Sequence, residues 1–192
     1  MSQGSSGVYG ERSLKGYRVW DPYRSKLAAL YYLSEGIDLT SDLRVLYLGA
    51  AHGTTASHVA DYVDTVYAVE FSPKPMRDLL EVAERRKNII PIMADAGDPS
   101  AYAPLVEEVD LIYQDVAQRD QVAIARKNSI FLKAAGRLVL MLKTRSIDVS
   151  RSPGLVLEDS LADLRSRGLQ TDTSLWLLPY HCDHAAILCT KC

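Results

Sequence analysis

Leu43-Arg44-Val45-Leu46-Tyr47-Leu48-Gly49-Ala50-Ala51-His52-Gly53-Thr54-Thr55 is the stretch on which the fold is read. A short apolar run, Leu43–Leu48, stops at a glycine, and residues at helical spacing follow over Thr54–Tyr62. That pattern predicts a strand buried on both faces, a tight turn and a helix. The glycines let the backbone turn sharply and approach a ligand, while the first N–H groups of the helix stay free to meet it. The G-x-x-x-G spacing differs from the G-x-G-x-x-G of dinucleotide sites.

The same alternation continues outward. Helical spacing is seen over Arg24–Leu33, Pro73–Arg86, Gln121–Leu132 and Pro153–Arg167. Further strands are expected at Thr65–Val69, Ile89–Met93, Val109–Tyr113 and Gly136–Leu142, and Thr171–Leu178 and Ala185–Thr190 close the chain. Strands alternating with helices predict an α/β fold with a Rossmann-like, doubly wound, seven-stranded sheet covered on both faces. The last two strands have no helix between them and are expected to form an antiparallel hairpin at one edge.

The 192 residues suit one domain, with Met1–Gly7 as a Ser/Gly-rich flexible leader and residues 8–192 as the folded unit. A 47% hydrophobic and 24% charged composition excludes disorder. No apolar stretch approaches the ~20 residues of a membrane span, so no membrane partner is expected. Three cysteines, all beyond position 181, make no disulfide framework, which points to a reducing, intracellular compartment. His181, Cys182, His184, Cys189 and Cys192 lack paired zinc spacing, and no metal is expected. Residues 1–26 carry net charge +3, residues 27–125 carry −9 and residues 126–151 carry +6. If folding joins the two positive segments, they form a basic face for phosphates, with Arg126, Lys127, Lys133 and Arg145 as contacts.

Ligands of such sheets bind outside the carboxyl ends of the strands. Gly49–Thr55 stands at the first of these ends, Glu70 and Phe71 at the second and Asp95-Ala96 at the third. A carboxylate at Glu70 can accept both hydroxyls of a ribose, and Asp95-Ala96 can meet an adenine edge. Together they describe a nucleoside ligand, either NAD or S-adenosylmethionine, and the glycine spacing disfavours NAD. Asp115 and Lys143 follow the next two strands. A lysine held near another cation and away from water can give up its proton near neutrality. Lys143, with Lys26 as its neighbour and Asp115 to orient an amine, is therefore a candidate general base. His184 could position a hydroxyl or a phosphate.

Tyr9-Gly10-Glu11-Arg12 and Trp20-Asp21-Pro22-Tyr23-Arg24-Ser25-Lys26-Leu27-Ala28-Ala29 resemble the opening segment of the fibrillarin family. Gly49–Thr55, Val69-Glu70-Phe71-Ser72-Pro73, Gln114-Asp115-Val116-Ala117-Gln118 and Lys143-Thr144-Arg145-Ser146-Ile147-Asp148 resemble its later motifs, as do Pro179-Tyr180 and Asp183-His184-Ala185. The resemblance runs from about Val8 to Leu188. It implies an S-adenosylmethionine-dependent RNA 2′-O-methyltransferase acting on rRNA and tRNA. Such enzymes work in a box C/D guide-RNA particle with a Nop-domain scaffold protein, a kink-turn-binding protein and the substrate RNA. It implies cofactor contacts at Gly49, Ala50, Gly53, Thr54, Thr55, Glu70, Phe71, Asp95, Ala96, Asp115, Val116, Ala117 and Gln118, and a catalytic group of Lys26, Asp115, Lys143 and His184. The family's usual β-rich module before Tyr9 and the eukaryotic glycine/arginine-rich tail are not expected here, which favours an archaeal-type, cytoplasmic protein. His52, where the family has a small residue, is expected to face solvent. A methyltransferase of the same fold acting on a glutamine side chain of a protein is the alternative, since only the acceptor differs.

Overall fold

The computed structural model describes all residues except Ser5, Ser6, Glu35 and Arg167. In chain order it contains β1 (Ser2–Gln3), β2 (Ser13–Leu14), β3 (Tyr17–Arg18), α1 (Lys26–Leu33), β4 (Arg44–Leu48), α2 (Thr54–Ala60), β5 (Thr65–Glu70) and α3 (Pro73–Arg85). There follow β6 (Ile89–Met93), β7 (Val109–Gln114), α4 (Gln121–Asn128), β8 (Leu132–Lys143), α5 (Thr144–Ile147), α6 (Pro153–Arg165), β9 (Leu169–Trp176) and β10 (His184–Lys191). The central sheet has seven strands in the order β6-β5-β4-β7-β8-β10-β9. The first five are parallel, and β10 runs antiparallel to both of its neighbours.

The closing hairpin stands at the edge, but its second strand lies inside the sheet. Burial explains that order. Ala185–Cys189 of β10 is apolar throughout and fully buried or nearly so, which suits an interior strand. The β9 sequence LQTDTSLW keeps several polar side chains at the surface, which suits an edge. The helix expected over Gln121–Leu132 gives way earlier, to a single 3-10 turn over Ser129–Phe131 and then to β8. Arg167, at the end of the expected last helix, lies outside the described residues.

The sheet separates two cores. Val45 and Tyr47 of β4 face α1, α2 and α3 together with Leu27, Val59 and Leu79. Leu46 and Leu48 face α4 and α6 with Ile124 and Leu164. The near-continuous apolar strands are therefore those covered by helices on both sides.

Ser2 and Gln3, within the segment expected as a flexible leader, take part in the fold. β1 pairs with β3, and β3 with β2, in a three-stranded antiparallel sheet. It is fastened to α2 by buried polar groups. The Ser2 hydroxyl donates to Asp61 (2.7 Å) and stands 2.6 Å from Nδ1 of His58, whose ring stacks on Trp20 at 4.9 Å. Arg18, with a fully buried side chain, pairs with Glu11 (3.0 Å) and Asp61 (2.8 Å) and donates to the carbonyl and hydroxyl of Ser57.

This network makes stability depend on pH. Burial, and then the Arg18 guanidinium, push the His58 imidazole down from 6.5 to about 4. The folded state thus binds that proton later than the unfolded chain, so the stabilisation is complete above pH ~6.5 and is lost as the pH falls toward 4. Burial alone would raise the Glu11 carboxyl. Backbone N–H donors, led by Tyr9, together with Arg18, hold it at about 2 instead, so a second loss follows between about 4.5 and 2. The melting temperature is expected to fall from pH 7 to 5, with a flatter slope in His58→Gln. A wild-type melting temperature that is constant over that range would remove His58 from the account.

Candidate active site

The turn after β4 is shaped by backbone geometry. Gly49 has φ +80, and a Cβ there would lie 2.5 Å from the Asp115 carbonyl, so the loops after β4 and β7 touch and only glycine fits between them. Ala51 follows with φ 48, a left-handed conformation uncommon outside glycine. It is held because its N–H donates to Oε2 of Glu70 (2.9 Å). Oε1 of Glu70 accepts from the Ser72 N–H (2.8 Å). Each carboxylate oxygen therefore has one backbone donor and remaining acceptor capacity. The Tyr9 hydroxyl donates to the His52 carbonyl. The His52 ring, half exposed, leans out against Asp78 (2.6 Å), so it does not fill the loop.

Gly49, Ala51, Val69, Glu70, Phe71, Ala94, Asp95, Ala96, Asp115, Val116, Ala117 and Gln118 line an open cleft of about 270 Å³ across the ends of β4, β5, β6 and β7. Nine of the expected cofactor contacts are thus brought together. Four stand behind them. Ala50 is buried beneath the turn. Gly53, at φ +81, lets α2 pack against Leu79 and Val82. Thr54 begins α2. The Thr55 hydroxyl donates to Oγ of Ser25 (2.9 Å).

Ser25 caps α1 by accepting from the Ala28 N–H, which makes Lys26 the first helical residue. Nζ of Lys26 reaches Oδ2 of Asp115 at 2.9 Å. Lys143 ends β8, and its peptide is gripped by buried Gln121, which accepts from the Lys143 N–H (2.8 Å) and donates to its carbonyl (3.1 Å). The Lys143 ammonium meets no carboxylate among the described residues. Lys143 stands opposite His184 in the β8–β10 register. The His184 ring lies 2.7 Å, through Nδ1, from the Cys182 carbonyl. The carbonyl can only accept, so Nδ1 carries the hydrogen and Nε2 is left with a lone pair in the neutral ring. Burial, and also Lys26, lower the His184 imidazole below its usual range, which keeps that ring neutral.

Two participants escape a reading of the sequence. His181 donates from Nε2 to the Pro22 carbonyl (2.8 Å), stacks edgewise on His184 at 5.9 Å, and is itself lowered by burial and by Lys26. Gln121 falls within an unremarkable helical stretch. The only sequence signal for His181 was a zinc-like cluster of His and Cys. Among the described residues no three His, Cys, Asp or Glu side chains gather to hold a metal ion. Cys189 is buried, and burial raises its thiol to about 11. Among the described residues no helix is long and apolar enough to cross a membrane.

The four residues expected on a basic face each meet an acceptor within the protein. Arg126 pairs with Asp163, Lys133 with Asp110 and Arg145 with Asp183, and Lys127 donates to the Gly97 carbonyl. Each has an intramolecular acceptor brought in from a distant part of the chain.

The family model described as Fibrillarin matches residues 1–192. A fibrillarin-like rRNA/tRNA 2′-O-methyltransferase of Methanoculleus marisnigri is 65% identical over 191 residues, which cover 100% of this chain and 95% of that one. A relative of the same description from Archaeoglobus fulgidus is 48% identical over 182 residues, covering 93% and 86%. Among solved structures, a fibrillarin/Nop5p complex matches with TM-score 0.95 and 45% identity over 99% of this chain and 92% of that chain. Aeropyrum pernix fibrillarin, solved with natively bound S-adenosyl-L-methionine, matches with TM-score 0.87 and 42% identity over 97% and 85%. Full-length agreement in sequence and in fold establishes that the chain belongs to the fibrillarin family.

Proposed function

We propose that the chain is an RNA 2′-O-methyltransferase that uses S-adenosylmethionine and acts on rRNA and tRNA. In this reading a box C/D guide RNA selects the target in a particle that also holds a Nop-domain scaffold and a kink-turn-binding protein. The observation that carries it is the meeting of the cleft at the strand ends with the Lys26–Asp115 pair, since Asp115 belongs to both. The glutamine-methylating alternative has no observation in its favour, whereas the relatives are described as rRNA/tRNA 2′-O-methyltransferases. Those relatives are archaeal, which supports a cytoplasmic particle.

The cleft's chemistry fits the cofactor. Glu70 keeps acceptor capacity for two ribose hydroxyls, and glycine at position 49 lets the Asp115 loop close against the Gly49 turn beside it. When bound, S-adenosylmethionine supplies an electrophilic methyl group, so positioning of the acceptor accounts for much of the rate. Lys26 holds Asp115 in place. Lys143, without a carboxylate partner among the described residues and fixed through its peptide by Gln121, would take the proton of the 2′-hydroxyl in its neutral amine form. His184 accepts from or orients that hydroxyl through Nε2.

The test is transfer of labelled methyl to RNA, with and without scaffold, kink-turn protein and guide. Transfer only in the complete particle supports the reading, and labelling of protein instead overturns it. Cofactor binding should need no partner. Glu70→Ala is expected to weaken it tenfold or more, as a charged group that loses its hydrogen bonds does. Calorimetric titration checks this, and an unchanged dissociation constant would take Glu70 out of the site.

A further inference from the structure

Beside the catalytic group stands an aromatic surface that the transfer reaction leaves unused. The Tyr23 ring is 65% exposed and meets Tyr180 edge-on, with centroids 5.1 Å apart at 73°. Tyr180 is half-buried and packs against the core beneath. Tyr23 lies three residues before Lys26, and Tyr180 four before His184. The His181–Pro22 hydrogen bond ties these two segments together, so both rings are held in place relative to the site. Packing accounts for Tyr180 but not for a tyrosine that leaves two thirds of its surface in water. The charges around it suit a polyanion. Arg24, next to Tyr23, is exposed and meets no carboxylate among the described residues, and neither does Lys143. Asp21 is engaged by the Tyr23 N–H and Asp183 by Arg145.

We propose that Tyr23 and Tyr180 form a stacking step for a nucleobase of the substrate RNA, next to the nucleotide whose ribose enters the site, with Arg24 on its phosphate. The proposal rests on the RNA methyltransferase reading above. RNA strands are commonly held by splayed bases laid on aromatic rings flanked by cations. Guide pairing selects the nucleotide. The step would hold its neighbour, so that the 2′-hydroxyl arrives at Lys143 and His184 in register.

Single-turnover methylation in the reconstituted particle tests this. Tyr23→Ala and Tyr180→Ala are expected to raise the half-saturating concentration of substrate RNA about five- to 150-fold. The Phe variants at both positions should stay near wild type, and the cofactor dissociation constant should not move. An abasic nucleotide flanking the target should reproduce the loss, and Tyr23→Ala should then add little to it. The exposed Tyr23 variants keep the test decisive if Tyr180→Ala fails to fold. Wild-type RNA dependence in both alanine variants overturns the step, as do fully additive abasic and alanine effects. Loss of co-purification with the scaffold in Tyr23→Ala would assign the surface to a protein instead. If the wild-type particle transfers no methyl to RNA, the parent reading falls and this one with it. If it does transfer methyl while the variants are unaffected, only the stacking step falls.

Discussion

Lys143→Ala is expected to slow methyl transfer by about 10²–10⁴ at saturating RNA, the range for a lost general base. Lys26 is committed to Asp115 at 2.9 Å. Lys143 meets no carboxylate among the described residues, and its peptide is clamped on both sides by Gln121. A residue with a fixed backbone and a side-chain nitrogen that no carboxylate among the described residues engages, opposite His184 in the register, is the one placed to meet a hydroxyl. Single-turnover rates in the reconstituted particle separate chemistry from binding. A raised RNA dissociation constant with an unchanged saturated rate would make Lys143 a phosphate contact and pass the chemical role to Lys26 or to positioning alone. Gln121→Ala should reproduce part of the rate loss without moving cofactor affinity.

Arg18→Met is expected to cost about 3–5 kcal/mol of folding stability, because it breaks a buried ion pair from one side. The Arg18 side chain is fully buried, and its carboxylate partners Glu11 and Asp61 are 7% and 3% exposed. Asp61 would retain Arg86 at 2.8 Å, whereas Glu11 would have only backbone donors. Against a typical domain stability of about 5–15 kcal/mol, that is a large fraction. Arg18→Lys should recover only part of it, since an ammonium cannot fork between two carboxylates and Ser57 as a guanidinium does. Urea unfolding measures both variants. A loss below about 1 kcal/mol in Arg18→Met would show that the network contributes little net stability.

The parallel half of the sheet was legible because each strand is a short apolar run bounded by turn residues. Ile89–Met93 was read to the residue, and the ends of the other parallel strands up to β7 moved by one. β8 was harder. Its first residues, Leu132-Lys133-Ala134-Ala135-Gly136, carry Ala135 at φ 58 and a register slip against β7, and nothing in their polarity marks them as strand. The two-residue strands β1, β2 and β3 have no periodicity to detect, and they hold through Arg18 and Ser2, whose partners lie up to 59 positions away. The cleft was legible because its residues all lie at or just after the carboxyl ends of strands. The Lys26–Asp115 pair joins positions 89 apart, so resemblance, not spacing, drew the two together. The same distance effect hid the carboxylates that engage Arg126, Lys133 and Arg145.

The position of β10 between β8 and β9 has a consequence for the order in which the protein is made. The chain is made from its amino end, and a domain folds largely as a unit. β4–β8 and every residue lining the cleft, from Gly49 to Gln118, emerge before β10. Until β10 arrives, the buried run Leu138–Leu142 of β8 stands at an open edge, the kind of edge on which nascent chains adhere to one another. β10 seals that edge and delivers His184 in one step. The strand that protects the sheet also carries His184, so loss of its pairing would expose the β8 edge and displace His184 together.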